Sequence, residues 1–285
     1  MEKYKVIRFS SKHWKPGTDV VELLARMLKD KAVDGDIVVL SEKALMVAFG
    51  QIFDESKIKP SIFTKIFTYL WMRIVWGWIL GYVCRLKPST IQWLKTYPLR
   101  EGSTHKQLTL KTVGLLQTLK PTSEGGIDGS NLPYNFVVLP MKNLQTKTVY
   151  LKNKLAEKLG VNLTVMVVDS DRTYILRSKK ISLKLSTRKT CYKEILNMGF
   201  LAYLIGRMFK QFFRPNATPL TIAGEKLPVE KALIIAEIAD RVRGFGAGRT
   251  VFEMAKNLNT TIDGVTWKML GKIKHYPVVV VRRTC

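Results

Sequence analysis

The sequence has few of the residues that build disulfide frameworks and transition-metal sites. Its three cysteines and three histidines are Cys84, Cys191 and Cys285, and His13, His105 and His275. The cysteines lie far apart and form neither a Cys-x-x-Cys pair nor a zinc-ligand spacing, so a disulfide scaffold or a thiol metal site is not expected. Three scattered histidines also disfavour a histidine-rich transition-metal centre.

Acidic residues are scarce as well. The chain has 47 Lys and Arg against 22 Asp and Glu, a formal net charge of +25 that is spread along the sequence. This charge favours polyanions such as nucleotide phosphates, nucleic acid or an anionic membrane surface, although adaptation for solubility gives the same composition. The start, MEKYKVIRFS, lacks a signal-peptide apolar region, so a cytoplasmic location is expected, with peripheral membrane association as the alternative.

Strands and helices are predicted to alternate along the 285 residues, which makes the fold class α/β. Apolar runs predict strands at KYKVIRF, DIVVL, NFVVLP, NLTVMVVDSD and YPVVVVRR, and a weaker alternation predicts one at KQLTLKTVGLLQTL. Helical periodicity predicts helices in PGTDVVELLARMLKD, which Thr18 or Asp19 can cap, TIQWLKTYPLREG, KTVYLKNKLAEKLG, and GEKLPVEKALIIAEIADRVRG. A subdomain boundary is predicted near residues 180–215, where a basic stretch gives way to an apolar, helical one.

An aromatic-rich helix is predicted over IFTKIFTYLWMRIVWGWILGYVC, within residues 62–86, as an insertion or an interface. Its length would cross a bilayer, but Lys65 and Arg73 each cost roughly 2.5–3.5 kcal/mol near the bilayer centre. Gly77 and Gly81 lie one helical turn apart and permit close contact with another helix. A buried or dimer-interface helix is favoured, with a membrane-surface helix and a membrane span as alternatives.

Two aspartates stand beside predicted buried strands. Asp128 lies in EGGIDGSN, ahead of NFVVLP, and Asp169 follows TVMVV. Carboxylates from two strand ends can meet at one edge of a sheet and hold Mg²⁺ or Mn²⁺ together with phosphate oxygens. The glycines of the first motif would let backbone N–H groups approach a phosphate. Ordinary turn chemistry explains the same residues, so the pattern alone leaves both interpretations open.

The motifs DGDIVVLSEKALMVAFG, GGIDGSNLPYNFVVLP, TVMVVDSD and PVVVVRR occur in the order and approximate spacing of the γ-glutamyl ligases of coenzyme F420. The sequence resembles this family over most of its length. The resemblance implies one ligase unit over residues 1–285, with mixed sheets, packed helices, two subdomains and a homodimeric assembly. It implies a GTP-dependent enzyme that activates a carboxylate of the deazaflavin coenzyme as an acyl phosphate, which the amine of L-glutamate attacks. The implied ions are Mg²⁺ or Mn²⁺, with K⁺ as a further candidate.

The resemblance assigns roles to individual residues. Asp128 falls on the first metal aspartate and Asn131 on a nucleotide-contacting asparagine. Asp169 falls on the second metal aspartate, and Ser170 stands where the family has a threonine next to it. In an alternative register Asp171 takes the place of Asp169.

Nucleotide contacts are assigned to two further places, and no catalytic residue is assigned. Glu42 and Lys43 fall on a Ser-Lys pair that touches the nucleotide. The segment Ser11 to Trp14, with Lys12 and Trp14 as the candidate contacts, falls on a Leu-Pro-x-Ile nucleotide contact of the family.

Several positions depart from the family pattern. Val47 stands where a second lysine is expected, and Lys272 stands at a metal-ligand position, where it can supply charge but cannot coordinate while protonated. DSDRTYI lacks an expected glycine. The tract at residues 243–264 resembles an insertion, and its G-x-G-x-G is either a phosphate loop or a flexible turn.

Three hypotheses follow for the function. The favoured one is the GTP- and metal-dependent ligase. The second is a homologue that binds a nucleotide or an anionic polymer after losing catalysis, suggested by Val47 and Lys272. The third is a protein that associates with a membrane surface through residues 62–84. Motifs do not identify the acyl acceptor or the number of glutamates added.

Overall fold

The central sheet is built from the continuous apolar runs of the sequence. A computed structural model describes residues 3–178 and 180–284. Its strands are β1 (Lys3–Ser11), β2 (Ile37–Ser41), β3 (Ile52–Asp54), β4 (Phe136–Val138), β5 (Thr164–Leu176), β6 (Lys184–Ser186), β7 (Leu196–Asn197), β8 (Phe213–Ala223) and β9 (His275–Thr284). The main sheet has the order β1-β9-β2-β5-β6-β7 with β8 paired to β5, and β3 and β4 form a separate two-stranded sheet.

Helices cover both faces of the main sheet. They are α1 (Val20–Leu28), α2 (Glu42–Ala48), α3 (Ile62–Val83), α4 (Pro88–Lys95), α5 (Leu99–Thr112), α6 (Leu115–Thr118), α7 (Leu144–Leu159), α8 (Phe200–Met208), α9 (Val229–Arg243), α10 (Val251–Asn257) and α11 (Trp267–Leu270). A single 3₁₀ turn occupies Glu55–Lys57. The predicted α/β class is confirmed, with parallel and antiparallel strand pairs in one open sheet.

The central segments of β2, β5 and β9 are apolar on successive residues because they are buried on both faces of the sheet. On β2, Val38 and Leu40 pack with α1 and α7, while Ile37 and Val39 pack on the opposite face with α9. The same division holds for the valines of β5 and β9. Three layers therefore result, with α1 and α7 on one side and α9 on the other.

Helix ends follow the local chemistry of the sequence. Of the two candidate caps for α1, Asp19 serves, since its carboxylate accepts a hydrogen bond from the N–H of Glu22 at 3.0 Å. Gly160 ends α7 in the left-handed conformation, with φ at 68°. Pro228 precedes the first turn of α9, close to the predicted start.

Two predictions about local structure were wrong. KQLTLKTVGLLQTL is not a strand but lies in α5 and α6, because α5 buries a polar face and the alternation of two leucines was accidental. NLTVMVVDSD does not end at its acids. Strand β5 continues to Leu176, with an irregularity in its pairing to β8 between Asp169 and Arg172. The described cysteines, Cys84 and Cys191, are free, and Cys285 lies outside the described residues.

The polar face of α5 is held by a buried charge network. The Lys106 ammonium donates to Glu124 at 2.6 Å and to two backbone carbonyls. His105 lies between Glu124, at 3.0 Å from Nε2, and Glu55, at 2.6 Å from Nδ1. Burial alone would lower the pKa of His105, but the charges of Glu55 and Glu124 outweigh it and raise the pKa to about 10.

This network predicts a stability that falls at alkaline pH. Because the pKa of His105 is higher in the folded than in the unfolded protein, its contribution is complete below about pH 6.5. That contribution is lost as the pH rises toward 10. We expect His105→Gln to lower the unfolding free energy by about 2 kcal/mol at pH 6. The difference in unfolding free energy between the wild type and His105→Gln, measured by urea denaturation, should be smaller at pH 10 than at pH 6.

The control for this measurement is Lys154→Gln, which removes an exposed ion pair with Glu157. The pKa of Lys154 is raised above its usual value, so this pair does not titrate between pH 6 and 10. A wild-type minus His105→Gln difference that stays constant across this range would contradict the assignment of a charged His105.

Candidate active site

The candidate site lies where β2 ends and β5 continues past it. These two strands run parallel, and their last aligned pair is Ser41 with Val168. Asp169 therefore follows directly at the point where α2 leaves β2, a place where ligands bind in open α/β sheets. The loop EGGIDGSN closes the third side. A cleft of about 1860 Å³ opens here, and its lining includes Lys43, Asp128, Ser130, Asn131, Asp169, Ser170 and Asp171.

Lys43 and Asp128 form an ion pair within the cleft. Lys43 stands in the first turn of α2, and its ammonium donates to the Asp128 carboxylate and to Ser130 Oγ, at 2.6 Å for the hydroxyl. The other Asp128 oxygen accepts the backbone N–H of Ser130 at 2.7 Å. Both side chains keep about a quarter of their surface exposed, so a ligand in the cleft can reach them.

Asp169 is paired with a second cation, Arg188. One Arg188 nitrogen donates to Asp169 and the other donates to Glu42 Oε1 at 2.7 Å. Burial raises the pKa of Glu42 to about 7 in spite of the nearby guanidinium. Burial would also raise the pKa of Asp169, but the charge of Arg188, the backbone N–H of Asp171 and the charges of Lys120 and Lys43 together lower that pKa. Arg188 thus connects the start of α2 to β5 beneath the cleft.

Asp171, the alternative metal aspartate, has a partner of its own. The buried ammonium of Lys120 donates to it at 2.7 Å and to the carbonyl of Ser123 at 2.5 Å. This ion pair fastens the segment just before the EGGIDGSN loop to β5. Asp169 and Asp171, the two candidates for the second metal aspartate, therefore each lie beside a cation.

Asn131 holds a neighbouring loop. Its side-chain oxygen accepts the N–H of Ala247 at 2.6 Å, and its amide donates to the carbonyls of Phe245 and Gly248 at 3.2 and 3.0 Å. These residues belong to the G-x-G-x-G tract, which lines the same cleft. The amide of Asn131 is thus occupied with positioning this tract as one wall of the cleft.

Comparison with known proteins shows the family to which the chain belongs. The family model described as F420-0:Gamma-glutamyl ligase matches residues 10–186, more than half of the chain. An uncharacterized protein of Methanocaldococcus jannaschii is 31% identical over 283 residues, which cover 95% of this chain and 94% of that protein. The chain belongs to the F420-0:gamma-glutamyl ligase family. The chemistry of this family is carbon–nitrogen ligation of glutamate to F420, and membership of the family supports a ligase function for the chain.

The other residues expected to contact the nucleotide, Trp14, Lys12 and Glu42, differ in burial and in their position relative to the cleft. Trp14 is buried, lines the cleft and donates from its indole N–H to Ser11 Oγ at 3.0 Å. Lys12 is exposed and is not among the residues that line the cleft. Glu42 is buried beneath the cleft and acts on it through Arg188.

Ser170, an expected metal neighbour, faces helix α9. Its hydroxyl donates to Asp240 at 2.8 Å and accepts from Arg243 at 3.0 Å. Both bonds direct the hydroxyl toward the end of α9. Within this structure, the Ser170 side chain therefore serves to join β5 to α9.

Val47 and Lys272, which depart from the family pattern, lie in different surroundings. Val47 is buried and packs with Met46, Leu132 and Val138, so an apolar cluster stands where a lysine was expected. Lys272 is exposed and is not among the cleft-lining residues. The cation that contacts Asp169 is Arg188. Sequence analysis missed it, since it lies just past the family match in a basic stretch without a motif.

Two histidines of the cleft were also missed as site residues. His13 and His275 both line the cleft, with ring centroids 4.9 Å apart. Burial lowers their pKa values to about 4 and about 3, so both rings are neutral at physiological pH. Within the described residues, His13 Nε2 and His275 Nδ1 are buried without a hydrogen-bond partner. The only sequence signal was the position of each beside a predicted strand.

The carboxylates of the ligase suit a divalent cation that phosphate and water also hold. Asp128 and Asp169 both line the cleft, with 26% and 17% of their side chains exposed. Each is already bonded to a side-chain cation, and residues 3–178 and 180–284 hold no group of three acidic, histidine or cysteine side chains placed to bind a metal. This donor set fits Mg²⁺ or Mn²⁺ bound mainly through a ligand's phosphates and does not fit an all-protein cage.

Gly126 of the EGGIDGSN loop makes room for Arg188. Its φ is +93°, and a Cβ built there would lie 2.0 Å from Arg188 Nη1. The guanidinium thus packs directly against the backbone of the loop. Glycine is required here for its conformation and also for this contact.

Gly126→Ala should therefore lower the stability of the protein by more than the backbone strain of an alanine at positive φ would cause by itself. The matched control is Gly35→Ala, at φ +81° with open space around the new methyl group. We expect Gly126→Ala to cost about 2–4 kcal/mol more, because the displaced guanidinium leaves Glu42 and Asp169 unpaired. Urea denaturation at pH 7 measures both losses. Equal losses for the two variants would show that Arg188 moves aside freely.

Proposed function

We propose that the cleft binds GTP with a divalent cation and activates a carboxylate of the deazaflavin coenzyme for attack by L-glutamate. The observation that carries this proposal is the convergence of Lys43, Asp128 and Asp169 on one cleft. The cleft volume of about 1860 Å³ is ample for a nucleotide and an acid together. Membership of the ligase family supports the glutamyl transfer, and the chemistry of the site supports a phosphorylated intermediate.

The proposed reaction has two steps. An oxygen of the acceptor carboxylate attacks the γ-phosphorus of GTP, and GDP leaves with the electron pair of the broken bond. The amine of L-glutamate then attacks the acyl carbon, phosphate leaves, and the amine gives up a proton. An acyl phosphate is reactive, so positioning of the two reactants accounts for most of the catalysis.

In this proposal Asp128 and Asp169 hold the divalent cation. A divalent cation held by these carboxylates would supply positive charge to the phosphates during transfer. Lys43 exchanges its bond to Asp128 for one to a phosphate oxygen, while Ser130 keeps the Asp128 carboxylate oriented through its backbone N–H. Arg188 stays buried beneath the cleft and fixes the position of Asp169.

A second function is favoured by a specific observation. Both aspartates are neutralised by Lys43 and Arg188, and Val47 is packed in an apolar cluster where a lysine was expected. A cleft with balanced charge can bind a nucleotide without completing phosphoryl transfer. The alternative is therefore a nucleotide-binding homologue that has lost catalysis.

Binding is tested with Asp128→Asn, which removes the negative charge but keeps the size of the side chain. We expect the affinity for GTP in the presence of Mn²⁺, measured by titration calorimetry, to fall about tenfold or more. Asp30→Asn, in an exposed turn, is the control and should bind as the wild type does. Unchanged Mn²⁺ and GTP binding by a folded Asp128→Asn protein would refute this assignment of the site.

Turnover separates the two candidate functions. The wild type should release GDP only when the F420 precursor is present, and glutamyl product should form only when L-glutamate is added. GTP binding without GDP release under these conditions would select the non-catalytic homologue.

A further inference from the structure

Helix α3 has two different faces, and both are apolar. Every fourth residue from Thr64 is buried against the protein, namely Thr64, Thr68, Met72 and Trp76. The residues two positions away are exposed at the same spacing, namely Ile62, Ile66, Leu70, Ile74, Trp78 and Tyr82. Four residues are close to one turn both in the α-helical part, Ile62–Thr68, and in the stretch Tyr69–Leu80, which is wound as a π-helix, so each set stays on one side.

The exposed face of α3 is large. Ten apolar or aromatic side chains of this helix are substantially exposed, and Phe63 and Ile62 keep 70% and 76% of their surface in solvent. Soluble proteins rarely leave a contiguous apolar patch of this kind uncovered unless it binds something. This helix is also the one described helix that is long and apolar enough to cross a membrane.

The buried face is held to the protein by polar contacts as well as packing. The indole N–H groups of Trp71 and Trp76 both donate to the carbonyl of Leu119, at 2.8 and 3.0 Å. Arg73 donates to the carbonyl of Tyr97 at 2.9 Å. A membrane span would have to break these bonds and expose the partners to lipid. These contacts favour a helix that lies against the protein and presents its outer face.

The chain segment that contains this helix carries charge of one sign. From Ser56 to Arg100 the chain has no Asp or Glu. The same stretch contains eight basic residues, which are Lys57, Lys59, Lys65, Arg73, Arg85, Lys87, Lys95 and Arg100. Exposed Trp78 and Tyr82 lie close to Lys95, at 3.5 and 5.4 Å from ring centroid to ammonium. Aromatic rings beside cations are typical of protein surfaces at the boundary between lipid headgroups and acyl chains.

From this arrangement we propose that the outer face of α3 docks onto an anionic membrane surface, with its apolar side chains in the headgroup boundary and the surrounding cations on lipid phosphates. A second copy of the chain fits the surface less well. A two-fold dimer would bring this basic segment close to its own copy, with no acidic residue within residues 56–100 to pair with.

The proposed membrane face adjoins the cleft. Lys59, Pro60 and Lys65 line the cleft and belong to, or immediately precede, α3. A membrane-docked molecule would therefore hold its cleft close to the lipid surface. This inference does not depend on the ligase reaction, because membrane docking is measured without GTP or glutamate.

Vesicle flotation tests the proposal on the full-length protein. We expect the wild type to float with vesicles that contain phosphatidylglycerol and to stay unbound with vesicles of phosphatidylcholine alone. Binding should weaken as salt is raised, because the cations are screened. A protein that floats with neither kind of vesicle would overturn the proposal.

The apolar contribution is tested by Ile66→Ser/Leu70→Ser/Trp78→Ser, a triple change on the exposed face. Flotation with the anionic vesicles should fall about tenfold or more, since each buried apolar side chain contributes to membrane affinity. The matched control changes three apolar side chains of similar exposure elsewhere, Val33→Ser/Tyr150→Ser/Ile181→Ser. Equal binding by the two triple variants would place the contact outside α3.

The charge contribution is tested separately by Lys57→Glu/Arg85→Glu/Lys87→Glu. This variant should lose flotation about tenfold or more, whereas the control Lys29→Glu/Lys180→Glu/Lys210→Glu, with the same net charge, should keep most of it. Circular dichroism and thermal unfolding verify that each variant is folded. A wild type that sediments as a dimer, shows no vesicle binding and becomes monomeric with the apolar triple change would assign the face to a second copy instead.

Discussion

The buried guanidinium of Arg188 is the contact on which the site depends. It joins the start of α2 through Glu42, the middle of β5 through Asp169 and the EGGIDGSN loop through its packing on Gly126. Removing a charge of this size from water costs several kcal/mol, which two carboxylates offset only while the geometry is kept. Loss of any one partner would leave a buried charge without compensation, so the three chain segments are held in register as a unit.

Ion pairs already present in the cleft can be replaced by ion pairs with a bound ligand. Lys43 already lies between the Asp128 carboxylate and the Ser130 hydroxyl. A phosphate that binds beside it replaces one charge-assisted bond with another and needs no new cation to be buried. A divalent cation at the same carboxylates would take the place that Lys43 vacates, which keeps the local charge close to balance. The ion pairs are therefore compatible with ligand binding, provided that Lys43 can move.

The sequence predicted β1, β2, β5 and β9 of the main sheet because each contains a continuous apolar run, which needs no partner to be recognised, but it did not predict β6, β7 and β8. Asp128 and Asp169 were placed at one site for the same reason, since each adjoins such a run. Arg188 could not be found this way, because one basic residue in a basic stretch has no local pattern and its role comes from long-range pairing. Helix α5 was mistaken for a strand because its buried side is charged, and Lys106 in a core signals burial only through its contact with Glu124.

The sequence of α3 could not decide which of its faces is buried, because both are apolar. The structure distinguishes them through polar atoms, since the indole N–H groups of Trp71 and Trp76 reach the carbonyl of Leu119 and the exposed Trp78 points away from that contact. Helix α3 also packs against α4 and α5, and both of those helices contribute residues to the cleft wall. Helix α3 is therefore joined to that wall through packed helices. A membrane bound to the outer face would therefore lie against a helix whose inner packing partners also form part of the cleft wall.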